Sequence, residues 1–218
     1  MLGKLMIRSF IISTLLLMVS VTQVSAQNST NSGVNLENFL YLDTKYGRSI
    51  IVLYPKKAPK HVERVRKLVR EGFYDGLVFH RVIHGFMAQT GDPTGTGTGG
   101  SDYPDLRAEF NNVLYNRGVI GAARTQNPHS ANSQFFITFQ AAHFLNGQYT
   151  VWGKVVKGME FIDKIKRGRG QSGSVDNPDK IVKMQVIADS KDVPSADLRQ
   201  FVPGFENAPR KKILPRIE

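Results

Sequence analysis

The chain contains no cysteine. No disulfide can staple it in an oxidising compartment, no thiol can serve as a nucleophile, and its core must hold by burial alone. It has no G-x-S-x-G segment either, so the serine-hydrolase nucleophile elbow is missing. After residue 26 no apolar run reaches transmembrane length, and no internal repeat is present. The five histidines, His61, His80, His84, His129 and His143, are scattered. His80 and His84 stand four apart, but HRVIH lacks the glutamate of the zinc-protease motif, and no third ligand follows at a suitable spacing. No metal and no cofactor are expected.

What is present suits one medium domain with extras at both ends: 218 residues, 41% hydrophobic and 22% charged. The formal net charge of +11 favours acidic partners or anionic headgroups non-specifically. Aromatic or groove-reading features do not cluster with that charge, so no nucleic-acid role is expected.

Residues 1–26 carry Lys4 and Arg8 but no acid, then the apolar run FIISTLLLMVSV and the small-residue end VTQVSA. They predict a secretory signal peptide cleaved between Ala26 and Gln27, and hence an exported protein with no stable membrane span; the alternative is an uncleaved anchor. Residues 27–36, QNSTNSGVNL, are polar and low in complexity and predict a flexible leader, with Asn28-Ser29-Thr30 a formal glycosylation acceptor.

From about residue 37 to residue 190 short apolar runs alternate with turn residues. NFLYLDT and RSIIVLYP flank TKYG, a hairpin signal. KAPKHVERVRKLVREG places Val62, Val65, Leu68 and Val69 at helical spacing, with Pro59 near its start and Gly72 past its end. Strand patterns follow at LVFHRVI, FMAQ, GVIGAA, SQFFITF, TVWGKVV and KIVKMQVIA. GMEFIDKIKRG predicts a second helix, with Met159, Ile162 and Ile165 inward and Gly168 as its stop. About eight strands and two helices without regular alternation predict a mainly β fold, a closed eight-stranded antiparallel barrel capped by two helices. Residues 191–218 lose the periodicity and form a basic, proline-containing tail with the run PRKK.

Gly95, Gly97 and Gly100 satisfy the G-x-G-x-x-G spacing, but Pro104 falls where a following helix would begin, so a mobile glycine-rich loop is expected rather than a dinucleotide site. The stretch FHRVIHGFMAQTGD is more informative. On strands, Arg81, Met87 and Gln89 share parity across a kink at Gly85, and Gln134 and Phe136 share a face in SQFFITF. These residue types alone describe core apolar groups and an arginine of the kind that usually lies at the surface.

FHRVIHGFMAQTGD, GTGG, ANSQFFIT and FLNGQYTVWGKV, in this order and spacing, resemble the signature of the cyclophilins, the peptidyl-prolyl isomerases, over roughly Phe39 to Ala188. ARTQNPHSANSQFF is similar to the form in bacterial secreted members, which implies a periplasmic home; secretion or an endoplasmic reticulum lumen are the alternatives. The resemblance places the essential arginine at Arg81. It assigns the proline pocket to Phe86, Met87, Phe136 and Leu145, and polar contacts to Gln89 and Gln134. Main-chain peptide contacts fall on Arg124, Thr125 and Gln126. Phe144 stands where eukaryotic members carry a tryptophan, which implies weaker cyclosporin binding, and Tyr149 stands where they carry a rim histidine. His84 replaces a usual proline, a neutral turn change.

The implied activity is rotation about X-Pro bonds in unfolded or partly folded exported polypeptides, by a monomer. An X-Pro bond exchanges over roughly tens to hundreds of seconds unaided, and the reaction needs no nucleophile, base or metal. A second reading is a proline-peptide-binding module or holdase with little turnover. A third is surface adhesion through the basic charge.

Overall fold

The computed structural model describes residues 33–194 and 197–202. The expected signal peptide, the glycosylation acceptor and the PRKK run lie outside them. The chain divides into two units, Asn35–Ser190 and a second made of Met1–Val34 with Lys191–Glu218. In the second unit a 3₁₀ turn, Leu198–Phe201, starts at Asp197, whose carboxylate accepts from the Arg199 N–H at 3.0 Å and pairs with its guanidinium.

The Asn35–Ser190 unit carries β1 (Phe39–Thr44), β2 (Gly47–Leu53), β3 (Arg81–Ile83), β4 (Met87–Thr90), β5 (Val119–Ala122), β6 (Phe135–Thr138), β7 (Val151–Lys157) and β8 (Ile181–Val186). They form one sheet in the order β3-β4-β6-β5-β7-β2-β1-β8, antiparallel throughout. Each expected strand is there. Thr44 pairs with Gly47, so Lys45 and Tyr46 make the two-residue hairpin loop that TKYG signalled.

Strand alternation sorts the side chains into two clusters. Val82, Ala88, Ile120, Phe135, Ile137 and Trp152 face the main core with Leu40, Leu42, Ile51 and Leu53. Their neighbours of opposite parity, Ile83, Met87, Val119, Phe136 and Val151, build a smaller cluster on the other face. Full burial of one large apolar side chain contributes roughly 1.5–3 kcal/mol, so the main cluster holds the fold. The smaller one is available to line a site.

Helix α1 (Pro59–Arg70) buries Val62, Val65, Leu68 and Val69 in the main core, as its spacing predicts. Pro59 suits the first helical position, and Gly72 at φ +69° takes the left-handed backbone past its end. Its N-cap, Ala58, has no capping side chain. Glu109 supplies the cap from a distant loop, accepting from the N–H groups of Lys60 and His61, each at 3.0 Å, and from His61 Nδ1 at 2.7 Å.

Two expectations need correction. The second helix, α2 (Met159–Ile162), is a single turn. Ile162 and Ile165 are buried as expected, but turns carry the chain onward from Asp163. Gly168 is no helix stop: a Cβ there would stand 1.9 Å from the Gly173 carbonyl oxygen, so glycine permits a close backbone approach. The barrel is also less than closed. β3 and β8 share no ladder, because the segment 168–174 occupies the outer edge of β3. Val82 N–H donates to Gly173 O and Val82 O accepts from Gly168 N–H, at 2.7 and 2.8 Å. Isolated bridges, Val78 to Lys180 and Arg81 to Ser174, span the seam of a curled half-barrel.

Candidate active site

The site grows from one row of register. Arg81 on β3 pairs with Gln89 on β4, Gln89 with Phe136 on β6, and Phe136 with Gly121 on β5. Directly opposed residues project to the same face, so the register gathers an arginine, an amide and an aromatic ring. Met87, two residues before Gln89, joins them. The kink expected at Gly85 is the turn of the β3–β4 hairpin, with φ +67°. It preserves the shared parity of Arg81 and Gln89.

Gly121 is the hidden requirement of that row. A Cβ there would stand 2.1 Å from the Tyr115 hydroxyl and 2.6 Å from Phe136 Cζ. Without one, the two rings stack at 5.7 Å beside the bare backbone. Tyr149 meets Phe136 edge-on at 5.7 Å, and Phe86 faces Phe144 at 5.4 Å. These groups enclose a hollow of about 270 Å³ lined by Arg81, Phe86, Met87, Gln89, Ala123, Arg124, Phe136, Phe144, Leu145 and Tyr149. Met87, Phe136 and Leu145 are buried, whereas Phe144 is 66% exposed and forms the rim. Both charged residues in the lining are cationic.

A chain of amides fixes the arginine. Arg81 Nη1 donates to Gln89 Oε1 at 3.3 Å, and Gln89 Nε2 donates to Gln134 Oε1 at 2.9 Å. Gln134 Nε2 donates to the carbonyls of Gly97 and Gly99. The glycine-rich loop is itself tied to buried Asp92, whose carboxylate accepts from the N–H groups of Thr94, Gly97 and Gly99. Burial alone would raise the Asp92 pKa, but those bonds and the Thr94 hydroxyl together hold it below the usual carboxylate value. Arg81 Nε donates to the Ser172 carbonyl at 3.0 Å. Its Nη2 makes no hydrogen bond among the described residues.

Beside this hollow lies a second of about 500 Å³, lined in part by Gln89, Gly97–Ser101, Asp105, Ala123–Thr125, Asn132 and Gln134. The structure therefore brings together eleven of the twelve residues singled out from the sequence. Gln126 lines neither hollow. Arg124 lies over the Tyr149 ring, 4.4 Å from its centroid, and donates to the Thr125, Gln126 and Gln148 carbonyls. The Thr125 N–H is taken by Ser130 Oγ at 3.0 Å. Sequence reasoning missed Gly121, Tyr115, Asp92, Ala123 and the Ser172 carbonyl. Gly121 and Ser172 act through backbone approach, Asp92 through loop N–H groups and Tyr115 through a ring contact that only folding makes.

Fold and site together define a β protein whose apolar seat is overlooked by a fixed cationic donor. The comparisons with known proteins agree. Residues 39–186 match the family described as "Cyclophilin type peptidyl-prolyl cis-trans isomerase/CLD". A Brucella suis protein named "Probable peptidyl-prolyl cis-trans isomerase" is 51% identical over 195 residues, 84% of this chain and 100% of its own length. The "Peptidyl-prolyl cis-trans isomerase-like 1" protein of Gibberella zeae is 38% identical over 160 residues, 71% of this chain and 98% of its own. A Cryptosporidium parvum cyclophilin, crystallised in the presence of the dipeptide Ala-Pro, superposes with a TM-score of 0.64 at 31% identity, covering 68% of this chain and 98% of that one. A cyclophilin from Hirschia baltica gives 0.65 at 27% identity, over 72% and 76%.

The chain belongs to the cyclophilin-type peptidyl-prolyl cis-trans isomerases. Its activity class is rotation about X-Pro peptide bonds.

Proposed function

We propose that the 270 Å³ hollow seats the prolyl ring of an unfolded polypeptide and that Arg81 donates a hydrogen bond to the prolyl nitrogen as the bond twists. Amide resonance sets a barrier of about 18–20 kcal/mol. In the planar ground states the nitrogen lone pair is shared with the carbonyl, and in the twisted state it returns to nitrogen and can accept. A donor that meets it only there stabilises the transition state selectively. Phe86, Met87, Phe136 and Leu145 grip the ring while Gln89 and the 124–126 segment hold the flanking chain, so one end is fixed and the other turns. Lowering the barrier by about 7 kcal/mol would accelerate exchange roughly 10⁵-fold. Guanidinium suits the role because it stays charged and presents rigid donors, which lysine does not.

The observation that carries this reading is Arg81, secured through two of its nitrogens and lining an apolar hollow. The Ala-Pro dipeptide present with the Cryptosporidium relative supports the choice of occupant. The test is cis-to-trans exchange of an Ala-Pro-Phe peptide by residues 27–218 and by Arg81→Ala. Turnover should collapse while peptide affinity falls far less; near-normal turnover in the variant would overturn the assignment.

The charged start, apolar run and small-residue end of residues 1–26 support export, with periplasmic clients, and N-terminal sequencing of the fractionated protein tests it. The exposed Phe144 ring, in place of a larger indole, supports weak cyclosporin binding. Phe144→Trp should tighten that binding, and sedimentation should give one chain per particle.

A further inference from the structure

The guanidinium of Arg81 is held from two sides, and only one belongs to the groove. Its Nε bond goes to the Ser172 carbonyl, in a segment that lines neither hollow. That segment is folded on itself: Arg169 N–H donates to Ser174 O at 3.0 Å, Gly173 N–H to Arg169 O at 3.3 Å, and Ser174 N–H to Ser172 Oγ at 3.4 Å. It is also locked to the strand that carries Arg81, through Val82 N–H to Gly173 O and Gly168 N–H to Val82 O. Both contacts require glycine. Gly173 sits at φ +70°, and a Cβ on it would stand 2.4 Å from Ile83 Cγ1; one on Gly168 would stand 1.9 Å from Gly173 O. An arginine side chain has many rotamers, and its planar head is oriented only when two of its nitrogens are tied to fixed acceptors. Gln89 Oε1 and Ser172 O are those acceptors.

We propose that the segment Gly168–Ser174 is a positioning element for catalysis. It presents the Ser172 carbonyl to Arg81 Nε and thereby aims the remaining donors at the prolyl nitrogen, with Gly173 as the residue that keeps the carbonyl in place. This rests on the reading of Arg81 as the transition-state donor. Because the segment lines neither hollow, its loss lowers kcat with little change in ground-state peptide binding.

The experiment pairs kinetics with the Arg81 side-chain Nε–H resonance in ¹⁵N-labelled residues 27–218. In the wild type that proton should exchange with solvent markedly more slowly than in free arginine. In Gly173→Ala it should exchange faster, and kcat should fall about tenfold or more with KM and peptide affinity unchanged. A wild-type Nε–H exchanging like free arginine would overturn the proposal even if Gly173→Ala failed to fold. So would a folded variant with unchanged kcat, or one whose loss lay in KM. Arg81→Ala run alongside separates the two readings: if it stays active, the catalytic assignment fails; if it is inactive while Gly173→Ala is normal, only the positioning role fails.

Discussion

Removing the Glu109 carboxylate should destabilise the fold by about 3 kcal/mol, although the residue sits in a loop. Three bonds are lost together in Glu109→Ala: the partners of the Lys60 and His61 N–H groups, and that of the buried His61 ring, whose Nε2 has no partner among the described residues. A lost helix cap costs roughly 0.5–2 kcal/mol, a charge at the helix dipole roughly 0.3–1, and an unpaired buried polar group roughly 1–3. These contributions overlap, hence about 3 in all. For a domain of this size that is about 6–12 °C in Tm. Glu109→Gln should fall between, because its NH₂ must face a donor. Burial lowers the His61 pKa below its ordinary 6.5, and the Glu109 bond and charge offset that only in part. Burial would raise Glu109, but the bonds from Lys60 and His61 hold it lower. In both cases the unfolded chain binds more protons than the folded one, so stability is lost on acidification. The His61 contribution is complete above pH 6.5 and fades below it; that of Glu109 fades at more acidic pH. Urea titrations of wild type and both variants between pH 7.5 and 4.5 read all of this. A Glu109→Ala unfolding free energy within about 0.5 kcal/mol of wild type, or wild-type stability that rises toward pH 5.5, would refute the reasoning.

Three further outcomes follow from the site. Gly121→Val should displace Phe136 and Tyr115 and abolish peptide binding by calorimetry, with a stability loss of about 1–3 kcal/mol from overpacking. Tyr115→Phe should be neutral or stabilising by up to about 1 kcal/mol in denaturant melts, since its buried hydroxyl has no partner among the described residues. Arg124→Ala frees the Tyr149 ring and three carbonyls, and should raise KM several-fold while leaving kcat within about twofold.

Periodicity carries most of the fold. Short apolar runs bounded by turn residues mark all eight strands, and the spacing of Val62, Val65, Leu68 and Val69 marks α1, because those residues meet one continuous core. The same logic over-extends α2, since Met159, Ile162 and Ile165 keep a helical interval while the backbone leaves the helix after Ile162. Partial closure is equally hidden: it depends on which carbonyls the 168–174 segment offers to β3, and main-chain atoms have no residue type. At the site, parity proposes Arg81 with Gln89, and the register supplies Phe136. Residue type alone would have left Arg81 at the surface; the ordered motifs changed that. Asp92 and Glu109 were illegible because the groups they satisfy are backbone N–H atoms presented by folding.

The covered edge of β3 bears on the company this protein keeps. Unfolded polypeptides are extended chains with unpaired backbone groups, ready to add themselves to any open sheet. Val82 spends both its backbone groups on glycines 168 and 173, and at the far end of the sheet Asp75 takes the Met184 N–H while Gly76 and Leu77 bond Ile181. A visiting polypeptide finds those groups already engaged, and the groove beside Arg81 left open to it. At those positions the sheet offers an extended chain no free backbone group on which to add a strand.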